Sequence, residues 1–210
     1  MIEMFLKLIV KGRITVSRED TGEVLYKADN IITNASRWLF SSFMATNIPD
    51  RSTTLTLAAA APLYGVWGLA LGSGNPSWAP ETQPVETAAQ TSMVQEMPNG
   101  RIQLSRVNFV DDSFNPVNTL STNVDFQTTV NATTNGITQG IREMGLIGGG
   151  NAADMGGYTM QNAPYFSGDV TQYASVLKSQ QTVILLNYKT LPPLLPPPGI
   201  NIIFSWVFQF

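Results

Sequence analysis

At 210 residues the chain is long enough for one substantial core, yet only 13% of it is charged, about half the roughly 25% of an ordinary soluble domain. A net charge of −3 with no run of like charges argues against a nucleic-acid partner, and the absence of Cys and His removes disulfide frameworks, thiolate zinc sites, imidazole triads and histidine switches. So few charges point to surface covered by other chains, the alternative being a surface kept polar by neutral Ser, Thr, Asn and Gln.

The first residues, "MIEMFLKLIVKGR", are apolar but carry Glu3 and Lys7 inside the run and show no cleavage-site pattern. They read as a strand rather than a signal peptide. No apolar run approaches the roughly 20 residues needed to cross a bilayer as a helix, so no membrane partner is expected. "RITVS" then puts Ile14 and Val16 on one face, "EDTGE" supplies a turn through Asp20, Thr21 and Gly22, and "VLYK" returns as the second arm of a hairpin.

After "DNIIT" the period changes. Leu39, Phe40, Phe43 and Met44 share one side at helical spacing with Trp38 at the margin, and Asn34 or Ser36 can cap, so a short helix over about 34–45 is expected against a sheet. Residues 46–63 read as a loop containing an alanine run. The following "GVWGLALGSGNPSW" is a strand through Val66, Leu69 and Leu71 that empties into a small-residue turn. A phosphate loop would need a helix to open there, and the prolines of "PSWAP" forbid it. Residues 75–84 are loop, and 85–97 read as a short helix or an extended arm.

"RIQLSRVNFV" alternates with Ile102 and Leu104 and then shifts phase to Val107 and Phe109, which predicts a bulge near Ser105 and Arg106. "NVDFQTTV" sets Val124, Phe126, Thr128 and Val130 against Asn123, Asp125, Gln127 and Thr129, a half-buried strand. "NATTNG" is a turn and "ITQGIREMGLIGG" a further strand. The glycine-rich excursion at 148–169 exceeds an ordinary connection, a length usually reserved for function or for packing against another body. "QTVILLNYK" is a strand, "LPPLLPPPG" an extended polyproline stretch, and "INIIFSWVFQF" closes the chain. Phe204, Trp206, Phe208 and Phe210 then share one face, either as a last core strand or as a surface docked on a neighbouring subunit.

Chemistry is thinly represented. Asp111, Asp112 and Asn115 could offer oxygen to calcium, but the spacing of an EF-hand loop is missing. Arg142 and Glu143 could pair, and Glu81, Glu86 and Glu96 lie in the proline-bounded middle, with nothing to single out an acid–base pair. The sequons at Asn34 and Asn131 read as chance matches. No catalytic, cofactor-binding or metal-ligating residue is expected, and the chain is read as a non-enzyme. The fold expected is mainly β, an antiparallel sandwich or partly open barrel with the one short helix packed on it. Residues 1–190 would form a single domain with the inserted loop at 148–169, followed over 191–210 by a proline-rich linker and the aromatic strand. Beside this stands an outer-membrane barrel, which the helix and the proline run count against.

Three short motifs extend this reading: Asn30, Ile32 and Asn34 before the helix; Leu69, Ala70, Leu71, Gly72 and Gly74 at the strand and turn; and Ile141, Glu143, Gly145 and Leu146 in the later strand. In this order they resemble a group of tailed-bacteriophage tail, baseplate and tail-fibre structural proteins, over roughly residues 22–147 and the closing strand. Ala35 stands where that group has glycine. The resemblance implies a β-rich virion component that contacts copies of itself and other virion structural proteins. Phe204, Trp206, Phe208 and Phe210 of the last strand, with Tyr165 and Phe166 of the long loop, are the subunit-interface residues expected. A capsid decoration or cement protein is the alternative within that class. A carbohydrate-binding receptor domain, with Trp38, Trp67, Trp78 and Tyr165 stacking on sugars, is the alternative outside it.

Overall fold

A computed structural model describes residues 11–33, 66–149, 161–165 and 182–209. The helix expected at 34–45 lies outside the described residues, together with Phe166, Phe210 and most of the 148–169 excursion. The described chain is mainly β: β1 (Lys11–Arg18), β2 (Val24–Ile32), β3 (Val66–Gly72), β4 (Glu96–Gln103), β5 (Arg106–Val110), β6 (Pro116–Val117), β7 (Asn123–Asn131), one helical turn α1 (Ala132–Asn135), β8 (Ile141–Gly148), β9 (Ile184–Leu185), β10 (Asn187–Leu194) and β11 (Asn201–Gln209).

The strands form one antiparallel sheet in the order β4-β3-β8-β10-β2-β1-β11-β7-β5-β6, with β9 beside β8, and the sheet does not close into a barrel. It bends where β10 meets β2, which pair only at Asn187↔Ile32 and Tyr188↔Ile31. The two halves then face each other across a shared core, Ile14, Val16, Phe204 and Trp206 from one side and Leu69, Leu71, Met144 and Leu146 from the other. This is sandwich packing built from one bent sheet. The polypeptide makes a second crossing between β4 and β5, where Leu104 N–H donates to Trp67 O in one layer (3.1 Å) and Ser105 N–H donates to Gln127 O in the other (2.8 Å). The phase shift at Ser105 and Arg106 is therefore a change of layer rather than a bulge within one strand.

The expected hairpin forms as β1 and β2. Its turn rests on Gly22, whose φ of 71° lies in the left-handed region, and Gly22 N–H donates to Arg18 O (3.0 Å). At "NATTNG" Asn131 caps α1 by accepting from Thr133 and Thr134 N–H, and Gly136 ends it with φ 67°. The segment is a helical turn that carries the chain to the other layer: β8 pairs with β3, β9 and β10, not with β7. β7 turns Thr128 and Val130 into the core as its alternation requires. Its other face is not fully solvated either. Asp125 is buried, accepting from Ser205 Oγ (2.7 Å) and Gln127 Nε2 (2.6 Å), and buried Asn123 donates to Asp112 (3.1 Å) in the loop folded over that end.

Residues 191–210 are not a linker with an appended strand. Leu191 to Leu194 finish β10, and the register against β8 shifts between Thr190 and Leu194, because Pro192 and Pro193 have no N–H for the ladder. β11 lies between β1 and β7, in register from Asn201↔Asn131 to Gln209↔Asn123. Its alternate residues Ile202, Phe204, Trp206 and Phe208 fill the core, each worth about 1.5–3 kcal/mol of burial. Phe208 meets Phe126 edge to face with ring centres 5.5 Å apart.

Candidate functional site

Glu143 and Arg142 are neighbours on β8, so their side chains leave opposite faces, and they do not pair. Glu143 is 0% exposed. A carboxylate removed from water is costly unless donors replace its hydration, and four do so. Oε1 accepts from Gln95 N–H (2.7 Å) and Gly74 N–H (3.3 Å); Oε2 accepts from Tyr188 O–H (2.6 Å) and Val94 N–H (2.9 Å). Burial, then the bond to Glu143, holds the Tyr188 hydroxyl above its ordinary pKa. With both oxygens engaged and shielded, Glu143 acts as a clamp that ties β8 to the turn after β3, to the strand-like approach to β4, and to β10.

The glycines around it are there for room. A Cβ on Gly72 would strike the Glu143 carboxylate and come within 2.7 Å of Gln95 O, and a Cβ on Gly145 would strike Asn187 O. Since β3 and β8 pair at Ala70↔Gly145, Leu71↔Met144 and Gly72↔Glu143, the second and third motifs form a single unit. The first motif belongs to the bend. The Asn30 amide orientation that satisfies its neighbours donates to Gly12 O (2.8 Å) and accepts from Trp206 Nε1 (2.9 Å) and Asn187 Nδ2 (3.1 Å). Buried Asn187 in turn accepts from Leu146 N–H (2.7 Å), so one polar chain joins β2, β11, β10 and β8. Asn34 lies outside the described residues.

Arg142 instead reaches the loop after β3, donating through Nη2 to Trp78 O (2.7 Å) and Ala79 O (2.9 Å), with its guanidinium 5.6 Å from the Trp78 ring centre. It borders a shallow cleft of about 370 Å³ with Ser73, Pro76, Gln95 and Gln139. Arg101 makes a two-pronged pair with Glu96 (2.6 and 3.0 Å), donates to Ala163 O (2.6 Å), and lies 4.7 Å from the Tyr165 ring centre. Glu86 is held by Thr190 N–H (3.1 Å) and by Lys189 (2.9 Å). Burial would raise its pKa, but the Lys189 and Thr190 bonds outweigh that and leave it below the ordinary value. Glu81 is exposed, so the middle carboxylates are not assembled into a pair.

Asp111 is occupied by its own loop, accepting from Ser113 N–H (2.8 Å) and Asn115 N–H (2.9 Å) beside Phe114 at φ 67°. Among the described residues no group of three acidic side chains is gathered as for a metal. The Asn131 side chain, besides capping α1, donates to Asn201 Oδ1 (2.8 Å).

Of the expected interface residues, Phe204, Trp206 and Phe208 lie in this chain's own core, because the face they share is the one turned toward the opposing layer; they are not available to a neighbour. Tyr165 is half-buried, bridged to Val183 and stacked under Arg101. Phe166 and Phe210 lie outside the described residues. Of the aromatics considered for sugar stacking, Trp67 packs with Ala163 and Val183, Trp78 and Tyr165 carry arginines, and Trp38 is outside the described residues. Among the described residues the exposed large apolar side chains are Val24, Val85, Val94 and Leu195, and, at the β5–β6 end of the sheet, Val107 (54%), Phe109 (38%) and Leu120 (89%).

No protein-family model matches the sequence, and no curated protein or solved structure gives a match.

Sequence reasoning left the Glu143 clamp, the Arg101–Glu96 pair and the Asn30–Trp206–Asn187 chain unassigned. The available signal was a polar residue interrupting an apolar run, Glu143 in "IREMGLIGG" and Asn187 in "VILLNYK". Such a residue is costly unless the fold brings it donors.

Proposed function

We propose that this chain is a structural protein of a tailed-phage virion, in the tail, baseplate or fibre-attachment region. It works by packing against copies of itself and other virion proteins and carries out no chemistry of its own. The supporting observation is the union of two motifs: Leu69–Gly74 and Ile141–Leu146, which carry the resemblance, interlock through Glu143 and two space-making glycines. They form a scaffold element whose carboxylate has no free oxygen to offer a substrate. Sparse charge and the apolar β5–β6 end fit a chain whose surface other chains cover. The test is the protein content of phage particles purified on a density gradient from an infected or induced host that carries this gene. The chain is expected to co-purify with the tail proteins in fixed ratio. Its confinement to the soluble fraction of the lysate would overturn the proposal.

A further inference from the structure

We infer that β5 is an acceptor edge for a strand donated by residues 1–10 of a second copy, an inference that rests on the assembly reading above. Strand register defines the acceptor. Val107 stands opposite Phe126, which continues to Trp206 and Ile14; Phe109 stands opposite Val124, which continues to Phe208 and Gly12. Opposed residues in an antiparallel sheet share a face, so Val107 and Phe109 prolong the core face beyond the cover of the other layer. β6 pairs with β5 only at Phe109↔Val117 and Val110↔Pro116. Among the described residues, then, no strand lies beyond Arg106, Val107 and Asn108. Among the described residues, an unpaired edge and an uncovered apolar row coincide here.

The donor is written in the sequence. In extended form "MIEMFLKLIV" places Ile2, Met4, Leu6, Leu8 and Val10 on one unbroken apolar face, and Glu3 and Lys7 with Met1, Phe5 and Ile9 on the other. This is the pattern of an added strand: main-chain bonds to the edge, apolar side chains on the core face and charges outward. The segment joins β1 at Lys11, opposite Gln209. Ten extended residues from that point would reach about 30 Å, and this chain's own β5 lies three strands, about 14 Å, across the sheet. The β5 edge of a second copy accepts such a strand without the turn back across β11 and β7 that this chain's own edge would require. Donor and acceptor are different surfaces, so the exchange is either reciprocal, closing a dimer, or head-to-tail, generating a ring or a filament.

The test compares the full chain with a variant lacking residues 1–10 by sedimentation equilibrium, and uses a fluorescent peptide of residues 1–12 as probe. The full chain is expected to associate with rising concentration, and the shortened chain to be a folded monomer that binds the peptide. Val107→Asp is expected to weaken peptide binding about tenfold or more. Leu195→Asp, at an apolar residue of comparable exposure just after β10, is expected to leave it unchanged. A monomeric full chain, a shortened chain that associates equally well, or peptide binding indifferent to Val107→Asp would overturn the inference. Should the shortened chain fail to fold, full-length Val107→Asp decides alone: a monomer supports the inference and an unchanged oligomer refutes it. A monomeric full chain that still co-purifies with particles would refute this inference alone, so the two readings fail separately.

Discussion

Both layers fill the core with apolar side chains but differ on their outer faces: the layer of β1, β11 and β7 ties its buried carboxylate, Asp125, to its own strands, while the layer of β3, β8 and β10 uses Glu143 and Arg101 to hold distant loops. In the first, Phe204, Trp206 and Phe208 recur at period two and fill the core, and the Trp206 indole N–H donates to Asn30. In the second, the inner face is equally apolar through Leu69, Leu71, Met144 and Leu146, but the outer face carries Glu143 and Arg101. Their bonds pin the 73–95 connection and residue 163 onto the sheet. Apolar burial is tolerant of small changes in shape, whereas a buried carboxylate depends on every donor remaining in place. The contrast teaches that the second layer is the one specified by geometry.

The comparison breaks most sharply at its two centres. Glu143→Ala orphans three backbone N–H groups and the Tyr188 hydroxyl, and should cost about 4 kcal/mol or more, enough to threaten folding. Trp206→Leu keeps the site apolar and should cost less, about 2–3 kcal/mol. Urea unfolding of both variants ranks them, and the reverse order would show that the clamp is not what specifies the second layer. Gly145→Ala comes next. Its new methyl meets backbone at Asn187 O, which cannot swing aside, and a loss of about 1–3 kcal/mol is expected in the same assay.

The smallest effect sharpens the picture through pH. Tyr188→Phe removes one donor of four and should cost about 1 kcal/mol at neutral pH. Because the folded-state pKa of Tyr188 is raised, its contribution is whole below the unfolded tyrosine value of about 10 and is lost as pH rises beyond that. The variant should therefore show a shallower fall in stability above pH 10 than the parent chain. Tyr26, pushed up to about 12 by burial and by Glu86, contributes a similar alkaline loss to both. Equal slopes in the two proteins would remove Tyr188 from the clamp.

The same contrast explains what could be read in advance. The hairpin, the β7 alternation and the β11 aromatics were legible because period two is a local property of four or five residues. Trp206 was legible as a strand residue but not as core or surface, since alternation names a face without naming what covers it. Glu143 was illegible as a clamp: its donors, Gly74, Val94, Gln95 and Tyr188, come from three distant stretches that only topology assembles. The boundary expected at residue 190 failed for a related reason. Two prolines locally signal a break, yet β10 runs through them by shifting its register against β8.

The central claim is that this chain belongs to an assembled particle. It is tested most directly by inserting a small visible tag in the exposed turn at residues 20–22 between β1 and β2, and imaging whole phage particles from the tagged strain. The account predicts tag density at a repeated, symmetry-related position on the tail, baseplate or fibre attachment. Particles that assemble and infect normally while carrying no tag anywhere would contradict it.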